Sequence, residues 1–139
     1  VEPDAVIQSI DVPSIYEVPL KMQEQKLDEI VLRKTGMEIG PRPELKPWRE
    51  FLAHMQNAKD TVRIGLVGKY VELQDAYKSI NEALFQAATY NNRKLDLQYI
   101  HSEKLTESNV EEKLSSMDGL IIAPGFGRRG KIRSTEICP

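Results

Sequence analysis

The residues after Asp60 alternate between short apolar runs rich in β-branched residues and longer runs with helical periodicity. This pattern predicts strands and helices in turn: strands over 62–67, 94–100 and 119–123, and helices over 76–91 and 109–114. Such alternation is typical of a parallel α/β sheet, whose functional loops lie at the carboxyl ends of the strands. The third predicted strand runs into 124–127, a Pro-Gly-Phe-Gly loop, so we expect chemistry there.

The residues before Asp60 predict a different organisation. A β-branched run over 5–10 predicts a strand that ends at a proline turn, and a helix follows over 19–34, stopped near Gly36. The segment 36–47 holds two glycines and three prolines, so it predicts a connection and a domain boundary. A further helix over 48–58 places its large apolar residues on one stripe that we expect to dock against other parts of the protein: Trp48, Phe51, Leu52 and Met55.

Composition excludes several classes of function. The formal net charge of -2 gives no global field for nucleic acid or an acidic membrane, so we expect neither partner. A single cysteine, Cys138, allows no internal disulfide. No apolar run is long enough to span a bilayer and no secretory signal is present, which favours the cytoplasm. Because the chain begins with Val1 rather than methionine, we expect it to be a piece of a longer protein.

For four features, the neighbouring residues allow an ordinary structural explanation beside a functional one. The run 65–70, Gly-Leu-Val-Gly-Lys-Tyr, lacks the Walker spacing and is better interpreted as a strand end with a glycine turn. The loop 124–130 is equally consistent with oxyanion-binding amides and with a plain glycine turn. Cys138 has no visible activating partner, which favours a structural role. His54 and His101 have no partners at metal-ligand spacing, so no zinc site is predicted.

Three separated blocks of sequence carry a family resemblance. DAVIQSIDVPSIYEVPL, IGLVGKYVELQDAYKSINEAL and DGLIIAPGFGRRG, in this order, resemble the middle of CTP synthase across nearly the whole chain. The resemblance implies that 1–35 is the end of a P-loop-type amidoligase domain and that 36–60 is an interdomain linker with a helix. It implies that 61–139 is the first half of a Rossmann-like class I glutamine amidotransferase domain.

The resemblance also implies binding residues for ATP and glutamine. The segment formed by Ile10, Asp11 and Val12 matches positions that contact the ATP adenine, although Asp11 equally suits a turn. Gly125 and Phe126 match the pair whose backbone N–H groups bind glutamine and form the oxyanion hole. The chain departs from the family at Pro124, which replaces a glycine and has no N–H to donate.

A regulatory site follows from the same resemblance. The stretch 69–79 is similar to a lid associated with activation by GTP, and Lys69 and Lys78 lie within it. Lys78 matches a lysine implicated in that coupling, and a cation there suits a nucleotide phosphate or an opposing carboxylate. An exposed lysine at the start of a helix is the alternative.

The implied enzyme is a ligase that aminates UTP to CTP with ATP, Mg²⁺ and ammonia from glutamine, activated by GTP and assembled as a tetramer. The Gly-x-Cys-x-Gly nucleophile motif, its His and Glu partners, the phosphate loop and the magnesium carboxylates are absent from these residues. We therefore expect no catalysis from this chain alone, and metal ligands outside it. The alternative is a noncatalytic regulatory module that binds glutamine or a nucleotide on a glutaminase-like scaffold.

Overall fold

The structure, a computed structural model, describes residues 2–73 and 75–124. The chain divides into two compact units, Val1–Ala53 and His54–Pro139. The first unit is helical. It contains short 3₁₀ turns at Pro3–Ala5 and Ile15–Glu17, the helices α1 (Val18–Glu24) and α2 (Leu27–Thr35), and most of α3 (Lys46–Asn57), which continues into the second unit.

The predicted strand over 5–10 is wrong. Residues 6–12 have no regular secondary structure, and the preceding residues form the 3₁₀ turn Pro3–Ala5. A side chain takes the place of a neighbouring strand: Gln25 accepts from the backbone N–H of Gln8 at 2.7 Å and donates to its carbonyl at 2.9 Å. One amide group thus satisfies both backbone groups that a ladder would otherwise pair.

The helix predicted over 19–34 is two helices, because Lys26 adopts the left-handed conformation with φ 58°. The predicted stop near Gly36 is confirmed. Gly36 has φ 69°, and the N–H of Met37 donates to the carbonyl of Leu32 at 2.9 Å. A glycine in this conformation ends a helix without a Cβ penalty and satisfies its last carbonyls.

The predicted docking stripe of α3 is confirmed at its aromatic residues. The rings of Trp48 and Phe51 stack with centroids 5.6 Å apart, and the ring of Tyr16 lies 5.4 Å from that of Phe51. The indole N–H of Trp48 donates to the carbonyl of Tyr16 at 2.8 Å. These contacts attach the start of α3 to the 3₁₀ turn before α1 by both apolar burial and a hydrogen bond.

The second unit confirms the predicted parallel α/β alternation. It consists of β1 (Asp60–Gly68), α4 (Lys78–Tyr90), β2 (Arg93–His101), a 3₁₀ turn (Ser102–Lys104), α5 (Val110–Leu114) and β3 (Gly119–Ile122). The three strands are parallel and lie in the order β2-β1-β3. The first strand is therefore the central one, and its last residues are the most buried, with Leu66 0% and Val67 1% exposed.

One arginine ties the amino end of all three strands together. The side chain of Arg63 on β1 donates to Asp96 on β2 at 2.8 Å and to the carbonyl of Ser116 at 3.3 Å. Its backbone N–H donates to the Asp118 carboxylate at 2.7 Å, just before β3. The hydrogen bond from Arg63 lowers the pKa of Asp96, and a second one from Gln98 acts in the same direction.

This shift predicts a dependence of stability on pH. Because the pKa of Asp96 is lower in the folded than in the unfolded chain, its stabilisation is present above the unfolded value of about 3.9 and is lost as the pH falls through the folded value. We expect Asp96→Asn to lower the urea midpoint at neutral pH.

The difference from the wild type should shrink as the pH falls through the lowered folded-state pKa of Asp96, because the wild-type carboxyl then becomes protonated as well. Glu107→Gln, which neutralises an exposed carboxylate between β2 and α5, is the matched control. A difference for Asp96→Asn that persists unchanged at acid pH would contradict the assignment.

Candidate active-site crevice

The strand order predicts a ligand crevice at the carboxyl edge of the sheet. The chain passes from β1 to β2 on one side and then crosses to β3 on the other, so the winding direction reverses at β1. In such sheets the crevice between the first strand and the strand reached after the reversal is the usual ligand site. Here its walls are the residues that follow Gly68 on β1 and Ile122 on β3.

The β1–β3 ladder continues to the edge of this crevice. Val67 is the register partner of Ile122, and the N–H of Ala123 donates to the carbonyl of Val67 at 2.8 Å. The backbone is thus held in sheet geometry up to Ala123, and Pro124 follows at once. The last described residues of the chain, Ala123 and Pro124, therefore lie beside the end of β1.

Tyr77 closes the other wall of the crevice. Its side chain is 6% exposed, and its phenol oxygen accepts from the backbone N–H groups of Lys69 and Tyr70, both at 3.1 Å. These are the two residues that directly follow β1. Neither residue type nor spacing suggested this contact from the sequence, which predicted a helix over 76–91 that includes Tyr77; in the structure α4 begins one residue after it, at Lys78.

A glycine is needed at position 68 because the ring of Tyr77 lies too close to leave room for a side chain. A Cβ at this position would lie 2.5 Å from the Tyr77 phenol oxygen and 2.8 Å from ring atom Cζ. Separations under about 3 Å between a Cβ and a non-bonded heavy atom are not tolerated in close-packed interiors. The second glycine of 65–68 is therefore explained by side-chain packing, and no phosphate need be invoked.

This geometry adds a reason against the phosphate-loop interpretation of 65–70. A phosphate-binding loop presents free backbone N–H groups to its ligand. The N–H groups of Lys69 and Tyr70 already donate to Tyr77. The alternative predicted from the spacing, a strand end followed by a glycine turn, describes this segment.

The two lysines of the predicted lid lie at the two ends of the same connection. Lys69 follows β1 directly, and its ammonium group is 5.0 Å from the centroid of the Tyr70 ring, a cation–π distance. Lys78 is exposed and is the first residue of α4. Between them, Glu72 approaches Lys104 to 3.8 Å; both side chains are exposed, so this pair contributes little to stability.

The edge strand β2 contributes polar groups at the same end of the sheet. His101 is the register partner of Gly68, and its Nδ1 accepts from the N–H of Glu103 at 3.2 Å, which caps the following 3₁₀ turn. The hydroxyl oxygen of Ser102 is buried and has no hydrogen-bond partner among the residues that the structure describes. His101 thus has a structural partner, and no zinc site is needed to explain it.

The predicted adenine-binding segment lies in the first unit. Ile10 is 48% exposed, Asp11 is exposed and Val12 is partly buried. The segment follows the Gln8–Gln25 pair and precedes the Ser14 hydroxyl, which accepts from the N–H of Tyr16 at 3.3 Å. The segment therefore lies at the surface, between two stretches held by side-chain hydrogen bonds.

Three other residues singled out from the sequence, Gly125, Phe126 and Cys138, lie outside the described residues. Within residues 2–73 and 75–124, no three His, Cys, Asp or Glu side chains come together in a way that could hold a metal ion. In that same part of the chain, none of the helices has the length and apolar character needed to cross a bilayer.

A parallel sheet with its crevice at the reversal of winding is compatible with part of a Rossmann-like α/β protein. The chain is 63% identical over 130 residues to CTP synthase from Porphyromonas gingivalis, 60% over 127 residues to that from Bacteroides fragilis, and 52% over 130 residues to that from Flavobacterium johnsoniae. The resemblance predicted from the sequence is confirmed: this chain matches a segment of CTP synthase.

These similarities cover 94%, 91% and 94% of the chain, respectively. The chain spans about a quarter, 24%, of the length of each of these curated relatives. No protein-family model matches the chain.

The contact between Gly68 and Tyr77 predicts that substitution by alanine changes the stability of the fold differently at two glycines, Gly68 and Gly40. Gly68→Ala should destabilise the fold by about 1–3 kcal/mol, because the new methyl group displaces a buried ring. Gly40→Ala is the control, since a Cβ there meets nothing within 4 Å; it should be neutral or stabilise by up to about 1 kcal/mol.

Chemical denaturation of the two variants, followed by circular dichroism, gives both values. Equal stability of the variants would contradict the packing described for Tyr77.

Proposed function

We propose that this chain is part of a CTP synthase that aminates UTP to CTP, using ATP and ammonia released from glutamine. The observation that carries the proposal is the 63% identity to a CTP synthase over 130 residues. The fold is compatible with it, since the crevice lies where a glutamine amidotransferase half-domain would need its loops.

The proposed division assigns 1–35 to the end of the amidoligase domain, 36–60 to the linker with its helix, and 61–139 to the start of the glutamine amidotransferase domain. Three features support it. The helical segment ends at Gly36, residues 37–45 contain no helix or strand, and the parallel sheet begins with β1 at Asp60.

In the proposed glutaminase part, Gly125 and Phe126 offer backbone N–H groups to glutamine and to the developing oxyanion. The support is positional: these residues follow Pro124 directly, and the backbone is held in register up to Ala123 beside the end of β1. Pro124 offers no donor, so the hole begins one residue later than in a Gly-Gly-Phe sequence. The nucleophilic thiol belongs to sequence outside these residues.

The proposed role of Lys69 and Lys78 is to bind the phosphates of GTP. Lys78 opens a helix of 13 residues, where the partial positive charge of the helix N-terminus disfavours a cation. An anion bound there would be attracted by both the ammonium group and the helix end. The exposure of Lys78 leaves its side chain available for such a contact.

For the amidoligase part, the proposal assigns ATP adenine contacts to Ile10, Asp11 and Val12, which are exposed or partly buried residues. Mg²⁺ would accompany the ATP phosphates. The described residues offer no metal-binding cluster, so no step through Mg²⁺ is assigned to them.

A cytoplasmic homotetramer completes the proposal. An apolar groove of about 480 Å³ between α1, α2 and the segment 43–45 is a candidate contact between subunits; it is lined by side chains that include Met22, Val31 and Leu45. Val31 is 49% exposed in the chain alone, which leaves its apolar surface available for a contact.

The test is an assay of the complete protein that contains this chain. We expect CTP to form from UTP, ATP, Mg²⁺ and glutamine, and alkylation of thiols to abolish the glutamine-dependent reaction while ammonia still supports CTP formation. The 139-residue chain alone should make no CTP. Tight binding of glutamine without ammonia release would support a noncatalytic module instead, and absence of CTP with either nitrogen source would overturn the proposal.

The GTP site makes a separate prediction. Lys78→Ala should raise the GTP concentration needed for half-maximal activation about tenfold, because it removes a charge-assisted contact to phosphate. Lys94→Ala, an exposed lysine at the amino end of β2, should leave the response unchanged. The measurement is glutaminase rate against GTP concentration, and identical curves for both variants would contradict the role of Lys78.

A further inference from the structure

We propose that Tyr77 is a positioning residue for glutamine hydrolysis, which holds both walls of the crevice through its phenol oxygen and its ring. The proposal rests on the proposed function for its chemistry. Its structural part stands on the contacts of one side chain with the residues that follow β1 and with the end of β3.

The first wall depends on the phenol oxygen. Two successive backbone N–H groups, those of Lys69 and Tyr70, converge on it at 3.1 Å each. No regular secondary structure satisfies them, since β1 ends at Gly68 and α4 begins at Lys78. The path of the chain as it leaves β1 is thus set by a side chain from seven or eight residues later.

The second wall depends on the ring. Tyr77, Leu66 and Ala123 form one buried cluster, with exposed fractions of 6%, 0% and 6%. Ala123 directly follows β3 and donates its N–H to the carbonyl of Val67, and only Pro124 separates it from the proposed oxyanion donors. A shift of the ring is therefore transmitted to Ala123, which precedes Pro124 and the proposed donors in the sequence.

The hydroxyl group and the ring are separable by mutation. Tyr77→Phe keeps the aromatic packing and removes the acceptor, which leaves two partly buried N–H groups without their partner. Gly68→Ala reaches the same contact from the opposite side, because its Cβ would lie 2.5 Å from the phenol oxygen. Both changes should disturb the same two hydrogen bonds while altering different residues.

If Tyr77 positions the crevice, loss of its hydroxyl should affect reactions that use glutamine and spare those that use free ammonia. Ammonia supplied directly bypasses the glutaminase site. A merely structural defect would instead lower both activities together, along with the amount of folded protein. The ratio of the two activities distinguishes the roles.

The experiment compares the complete wild-type protein with Tyr77→Phe, Gly68→Ala and the control Tyr90→Phe, whose ring is 79% exposed. We expect Tyr77→Phe to lower glutamine-dependent CTP formation about tenfold, as a raised KM for glutamine or a lowered kcat, with ammonia-dependent formation unchanged. Gly68→Ala should shift the ratio in the same direction, and Tyr90→Phe should match the wild type.

Hydrogen exchange measured by mass spectrometry on peptides covering 66–72 provides the second readout. Tyr77→Phe should speed exchange at the amides of Lys69 and Tyr70 about tenfold, and Tyr90→Phe should not. Unchanged exchange overturns the structural part of the proposal. Faster exchange with an unchanged activity ratio overturns the positioning role.

The proposed function fails separately, if the wild type itself forms no CTP from either nitrogen source. In that case the positioning role for glutamine hydrolysis fails with it. The exchange measurement still decides whether Tyr77 holds the residues after β1.

Discussion

The burial of β1 between two parallel neighbours is the constraint on which the second unit depends. Leu66 and Val67 are almost completely inaccessible to solvent, and the strand is hydrogen-bonded on both edges. A strand in this position must be apolar on both faces, which is why its second half reads as a continuous apolar run. Both other strands of the sheet pair with this central strand.

Tyr77 extends this arrangement beyond the end of the strand. Hydrogen bonds between the strands satisfy backbone groups only up to Gly68 on β1 and up to Ala123, the residue after β3. Beyond those points the structure uses a buried phenol to satisfy two N–H groups and a glycine to make room for the ring. Because a close-packed ring transmits displacement to the residues it contacts, a movement of Tyr77 would affect both the residues after β1 and Ala123.

In the first unit, side chains rather than neighbouring strands pair with backbone groups outside the helices. The amide of Gln25 pairs with both backbone groups of Gln8, and the side chain of Gln23 donates to the carbonyl of Pro43 at 2.7 Å. Arg42 donates in turn to the carbonyl of Gln23 at 2.6 Å. Side chains thus hold segments that contain no regular structure, and a piece of a larger protein can keep a defined local shape through such contacts.

The sequence by itself determined the order and type of the elements after Asp60, because apolar periodicity reports directly on which face of an element is buried. It also predicted the stop at Gly36 and the family resemblance. It missed the break at Lys26 and predicted a strand over 5–10, since a β-branched run carries no information about whether a partner strand is present. Only the tertiary structure decided the strand order and the contacts of Tyr77, because these depend on residues that the sequence pattern does not bring together.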